Sequence, residues 1–157
     1  MAHAHSYLIT LSNNKTEKEA LNLLLAERAD LLIPDAKGRK AIVEALGIDK
    51  RFRRTFDLVR IPGHRFGEAQ VEIQDPGSIT LFEIKSTKKL LPDFPKGFFF
   101  GATENEFDLA KLLGARFQFC FVSLHPQQPT DKRIAYFSLL QLEQLIRTKR
   151  TQFQVNL

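Results

Sequence analysis

Apolar positions along this chain recur first at helical and then at strand spacing, and the change falls near Arg53. In "NKTEKEALNLLLAERADLLIP", Thr16 followed three residues on by Glu19 predicts a capping-box start, and Leu21, Leu24, Leu25, Leu31 and Leu32 keep largely helical spacing before Pro34. "DAKGRKAIVEALG" predicts a shorter helix, with Asp35 as N-cap and Gly47 as its terminator. From Arg53 the runs "RTFDLVRI", "AQVEIQ" and "SITLFEIKST" are β-rich, separated by turn signals at Pro62-Gly63 and Asp75-Pro76-Gly77. Three successive strands imply an antiparallel meander.

A proline- and glycine-punctuated loop, "LLPDFPKGFFFGA", follows, and then a second capping box from Thr103 to Glu106 opens a helix that ends at Gly114. "ARFQFCFVSL" alternates Phe117, Phe119 and Phe121 against Gln118, Cys120 and Val122, the pattern of a strand whose two faces are covered to different degrees. "RIAYFSL" is a further strand, and Ser138 with Gln141 opens a last helix, "LLQLEQLIRTK". The order helix, helix, three strands, helix, strand, strand, helix describes an α/β chain: a mixed central sheet flanked by helices. At 157 residues it reads as a single domain, 1–157.

Composition narrows the setting. Hydrophobic residues make up 43% and charged residues 26%, and no segment approaches the roughly 18 consecutive apolar residues of a membrane span. The N-terminus shows neither a secretory signal nor a transit peptide, and the one cysteine, Cys120, has no internal disulfide partner. A reducing, cytoplasmic setting with no membrane partner is expected. A formal charge of +5 favours a polyanion, because the basic residues cluster in "DKRFRRT", "KSTKK" and "RTKRT". Arg51, Arg53, Arg54, Lys88 and Lys89 are the candidate phosphate contacts; a solvated charge run is the alternative.

The candidate chemistry lies in the third strand. If it alternates, Leu81, Glu83 and Lys85 share one face, so a carboxylate and an ammonium stand side by side. A lone E-x-K is often an incidental surface ion pair. A second acid changes the weighing: Asp57 lies in "RTFDLVRI" between apolar neighbours, where aspartate is disfavoured. Metal-dependent phosphodiester hydrolysis fits this set. Mg2+ takes oxygen ligands and binds through one or two carboxylates plus substrate phosphate, a role for Asp57 and Glu83, with the Ile84 backbone carbonyl as a third donor. Lys85 then orients the attacking water or stabilises charge on the phosphate oxygens.

Asp57 with Glu83-Ile84-Lys85 resembles the PD-(D/E)xK nuclease superfamily, which has the restriction-endonuclease-like fold. "LFEIKSTKK", a loop with phenylalanines and "ATENEFDLAKLLGARFQFCFVSL" are further similar to the NO VEIN type of domain, over residues 55 to 123. The resemblance implies a nuclease of restriction or repair systems. Two departures matter: no proline precedes Asp57, and the interval carries an extra run with Glu72 and Asp75, so Glu72 is the alternative metal-binding acid. Members that add a glutamate from the first helix make Glu19 and Glu27 candidates, against a solvated helical face. Glu106 belongs either to the active face or only to its capping box.

Other residues carry less. His3 and His5 fall at a terminus expected to fray. Cys120 reads as a small buried hydrophobe. Phe98, Phe99 and Phe100 either stack on bases or close the core, with at least one in the core. The expectation is a Mg2+-dependent endonuclease (Mn2+ substituting) acting on DNA as a homodimer, of restriction, repair or junction-resolving type, with further protein subunits as added partners. The alternative is a non-catalytic nucleic-acid-binding or assembly subunit that keeps the fold.

Overall fold

The computed structural model describes residues 4–63, 73, 75–153 and 155–157, with the side chains of residues 4–15 outside that description. Among the described residues a four-stranded mixed sheet is flanked by four α-helices, an α/β architecture. The strands are β1 (Leu58–Arg60), β2 (Thr80–Thr87), β3 (Phe117–Ser123) and β4 (Ile134–Phe137), in spatial order β1-β2-β3-β4. β1 and β2 pair antiparallel, β2 and β3 parallel, and β3 and β4 antiparallel. The parallel pair needs a crossover, which α3 (Glu104–Leu113) supplies. The expected middle strand of the meander, "AQVEIQ", with Glu72, lies outside the described residues except for Ile73, which packs against the first core; His3 also lies outside them.

The alternation seen in the sequence is realised on both central strands. Leu81, Phe117, Phe119 and Phe121 join one core beneath α3, α2 (Ala36–Leu46) and α4 (Leu139–Leu145). Phe82, Ile84, Cys120 and Val122 join a second core beneath α1 (Ala4–Glu27), with Ala20 and Leu24. Contrary to the expected unequal covering, six of the seven β3 residues are buried, because helices close both faces. Phe121 sits at the centre of an aromatic cluster, 4.7 Å from Phe98, 4.9 Å from Phe100 and 5.6 Å from Phe137 between ring centroids. Phe121→Ala is expected to cost about 3–5 kcal/mol, read as a lower urea midpoint with unchanged slope; a loss below about 1 kcal/mol would mean that the cluster does not hold the sheet to its helices.

Three helix boundaries differ from expectation. α1 begins at Ala4 and runs through Thr16, so the Thr16–Glu19 pair opens nothing: a continuous helix already satisfies the N–H groups that a cap at Thr16 would serve. Leu31 and Leu32 fall beyond the helix, and Leu32 forms a bridge to Val59. α4 stops at Leu145, with Ile146 extended. The other caps form as expected: Asp35 accepts from Gly38, Gly47 closes α2 in the left-handed conformation at φ 65°, and Thr103–Glu106 and Ser138–Gln141 are complete capping boxes.

Candidate active site

Asp57 stands one residue before β1, not within it. The ladder ends at the Leu58–Phe82 pair, and Asp57 extends it by other means. Its backbone N–H donates to the Phe82 carbonyl at 2.8 Å, and its carboxylate accepts from the Ile84 N–H at 2.7 Å. An aspartate costs little where its side chain takes over a ladder hydrogen bond, which accounts for the acid among apolar neighbours. The Phe82 carbonyl points toward β1, so by the alternation of a strand the N–H and carbonyl of Ile84 point to that side too, where β1 has ended. The Ile84 carbonyl therefore lies on the same open edge as the Asp57 carboxylate.

Glu83 and Lys85 occupy the face of Leu81, as their spacing predicts, paired in register with Phe119 and Phe121. Lys85 Nζ is 3.6 Å from Glu83 Oε1 and 2.5 Å from Glu106 Oε1. Glu106 closes its capping box and also reaches Lys85. One oxygen holds Lys85, while the other accepts from the Thr103 N–H at 2.7 Å as the N3 member of the capping box. The side chains of Lys85, Glu83 and Glu106 are only 12%, 15% and 7% exposed, so these charges interact in a medium far less screening than water.

The electrostatics show an excess of acid. Burial and then the nearby Asp57 charge push the Glu83 carboxyl up to about 11, against the opposing pull of Lys85. Burial alone would raise Glu106 as well, but Lys85 and Thr103 outweigh it and hold it below the ordinary carboxylate value. A fourth acid, Glu17 on α1, is raised by burial and by Asp57 and Glu106. Glu17 is thus an α1 glutamate coupled to the site, and Glu27 acts on Cys120 and Tyr136, in the second core. Part of the signal was available, because Glu17 stands four and seven residues before Leu21 and Leu24, while Glu19 lies on the far side of the helix.

Arg39 is the residue that the sequence did not suggest. It lies half-buried on α2, stacked 5.1 Å over the Phe56 ring, and donates to the Phe56 carbonyl and, at 3.4 Å, to that of Arg53. Burial pulls its guanidinium below the ordinary value, while Asp57 and Glu83 act in the opposite sense. With Ala36, Arg54, Phe56 and Asp57 it lines a cleft of about 300 Å³. A neighbouring cleft of about 430 Å³ is lined by Lys50, Arg51, Arg53 and Arg54.

Of the other candidates, Arg53, Arg54, Lys88 and Lys89 are exposed. Arg51 is engaged: its guanidinium donates to Asn105 at 2.8 Å and pairs with Asp108 at 3.2 Å, tying the segment before β1 to α3. Phe98 and Phe100 pack on Phe121, whereas Phe99, between them, is 91% exposed. Cys120 is buried, and burial pushes its thiol up to about 12, the behaviour of a hydrophobe and not of a nucleophile. Among the described residues no three His, Cys, Asp or Glu side chains converge as a ready ligand set, so any cation here would rely on two carboxylates and a backbone oxygen. No helix among the described residues is long and apolar enough to cross a membrane.

Comparison with protein-family models, with characterised proteins and with solved structures gives no match. The functional reading therefore rests on the site alone.

Proposed function

We propose that this chain is a Mg2+-dependent endonuclease of the PD-(D/E)xK kind, hydrolysing phosphodiester bonds in DNA. One observation carries the reading: the Asp57 carboxylate stands on the open edge of β2 with the Ile84 carbonyl, its charge acts on Glu83 of the adjoining sheet face, and Lys85 is held two residues on by Glu106. An incidental surface pair would be exposed and single. Here Glu83 and Glu106 flank one buried ammonium at 3.6 and 2.5 Å while the Asp57 charge acts on Glu83, and the surplus of acid over base favours a cation.

The donor set suits a hard cation that binds through few protein oxygens and keeps several waters. Bound Mg2+ would offset the acid pair and the charge developing on a phosphate oxygen. The rest falls to the chain's own groups. Asp57 and the Ile84 carbonyl are fixed by the strand edge, so their oxygens need little reorganisation. Lys85 Nζ, tethered by Glu106, donates toward the attacking water or a non-bridging phosphate oxygen. Two strands of a duplex call for two such sites, hence a homodimer.

The test is cleavage of supercoiled plasmid, a branched DNA and single-stranded RNA with Mg2+, Mn2+ or EDTA. Cutting of DNA that requires the metal and falls roughly 100- to 1,000-fold in Asp57→Ala but not in Glu72→Ala is expected. The reverse pattern would move the first acid to Glu72. DNA binding without cutting under any metal would leave the non-catalytic subunit as the function.

A further inference from the structure

Arg54 lines both basic clefts, so it links Lys50 and Arg53 on one side with Arg39 and Asp57 on the other. Their roles differ with their surroundings. Arg53 and Arg54 are exposed and free to follow a ligand. Arg39 is fixed instead: the Phe56 ring and the Phe56 carbonyl occupy one side of its guanidinium, immediately before the candidate metal-binding acid in sequence. A preoriented guanidinium beside an acid pair suits a phosphate adjacent to the bond being cut, because arginine presents its donors as a planar fork matched to phosphate oxygens. It also offsets repulsion between a polyanion and the acids. Arg51, pointed at Asn105 and Asp108, is spent on holding α3.

We infer that Arg39 and Arg54 form a phosphate track that leads the backbone of duplex DNA to Asp57, with Arg39 a positioning residue and Arg51 a structural one. The inference rests on the proposed nuclease reading for its geometry at the acids but is testable without catalysis. Ca2+ in place of Mg2+ lets binding be measured by fluorescence anisotropy of a labelled duplex across a salt series.

Each lost phosphate contact should lower the slope of log affinity against log salt by about 0.9. Arg39→Gln and Arg54→Gln are each expected to lose about one unit of slope. Arg51→Gln should keep the slope and lower the melting temperature. Arg39→Lys, which keeps the charge without the fork, should recover the slope but not the cleavage rate. That pattern separates a phosphate contact from mere anchoring of the Phe56 carbonyl, and the exposed Arg54 carries the test should Arg39→Gln fold poorly. An unchanged slope in Arg39→Gln or Arg54→Gln, or an equal loss in Arg51→Gln, overturns the track. Wild-type protein that binds no duplex overturns both the track and the nuclease reading. Slope losses as expected in a chain that cuts nothing support the track and remove only the nuclease.

Discussion

Lys85→Ala is expected to lower metal-dependent DNA cleavage by roughly 1,000-fold while leaving duplex affinity in Ca2+ nearly unchanged. The reason is placement. Lys85 is 12% exposed and sits on the sheet face between two carboxylates, too enclosed to add much to the long-range field that attracts DNA. The exposed arginines before β1 supply that field. What Lys85 offers is a proton donor held within 2.5 Å of Glu106 and 3.6 Å of Glu83, with almost no freedom to wander. The same enclosure carries a second consequence. Removing the ammonium leaves the Glu106 carboxylate, which Lys85 helps keep charged, buried without its counter-ion, and breaking a buried pair in this way costs on the order of 3 kcal/mol unless Glu106 takes up a proton. Cleavage should therefore be compared at a temperature where circular dichroism finds both proteins folded. Lys85→Ala that folds, binds and cuts at the wild-type rate would falsify the assignment of this site.

How much of this was legible beforehand depends on the range of the forces involved. Period-two alternation placed Glu83 and Lys85 on the face of Leu81, and Phe117, Phe119 and Phe121 on the same face of the next strand, because strand geometry alone decides it. Caps at Asp35, Thr103 and Ser138 were readable for the same local reason. The Thr16 cap misled because a capping box is permissive: it stabilises a terminus but does not break a helix arriving from upstream. Tertiary neighbours were the hard part. That Glu106 both closes its own helix and grips Lys85 depends on where α3 lands after a crossover, and nothing within a few residues of Glu106 encodes that. Arg39 was invisible for the same reason. It sits on a helix whose pattern predicts only a solvated face, and only the approach of the Phe56–Asp57 segment makes it part of the site. Glu17 lies between these cases, since extending the apolar stripe by one turn points to it.

Glu83→Gln is expected to abolish Mg2+-dependent cleavage and yet, in metal-free protein, to raise stability, with a gain that grows as the pH rises. Glu83 holds its proton to about 11 in the fold against an ordinary value of 4.5. Between those values the folded chain keeps a proton that the unfolded chain has released, so the favourable contribution is complete below about 4.5 and drains away toward 11. The limiting slope is about 1.4 kcal/mol per pH unit. Water reaching a carboxyl that is 15% exposed trims this, leaving on the order of 2 kcal/mol between about pH 5 and pH 8, or roughly 4–8 °C in melting temperature for a chain of this size. Glutamine keeps the shape and cannot ionise, so that dependence should vanish. Glu106 runs the other way: its lowered value contributes above 4.5 and is lost as the pH falls through it, which bounds the stable range on the acid side. Mg2+ completes the argument. A cation that displaces the Glu83 proton should stabilise wild type increasingly at higher pH and leave Glu83→Gln nearly indifferent. Calorimetric scans of both proteins at about pH 5 and pH 8, with EDTA and with Mg2+, read all four corners. A wild-type melting temperature that does not fall between the two pH values in EDTA, or a glutamine variant stabilised by Mg2+ as strongly as wild type, would place the cation's ligands elsewhere than Glu83.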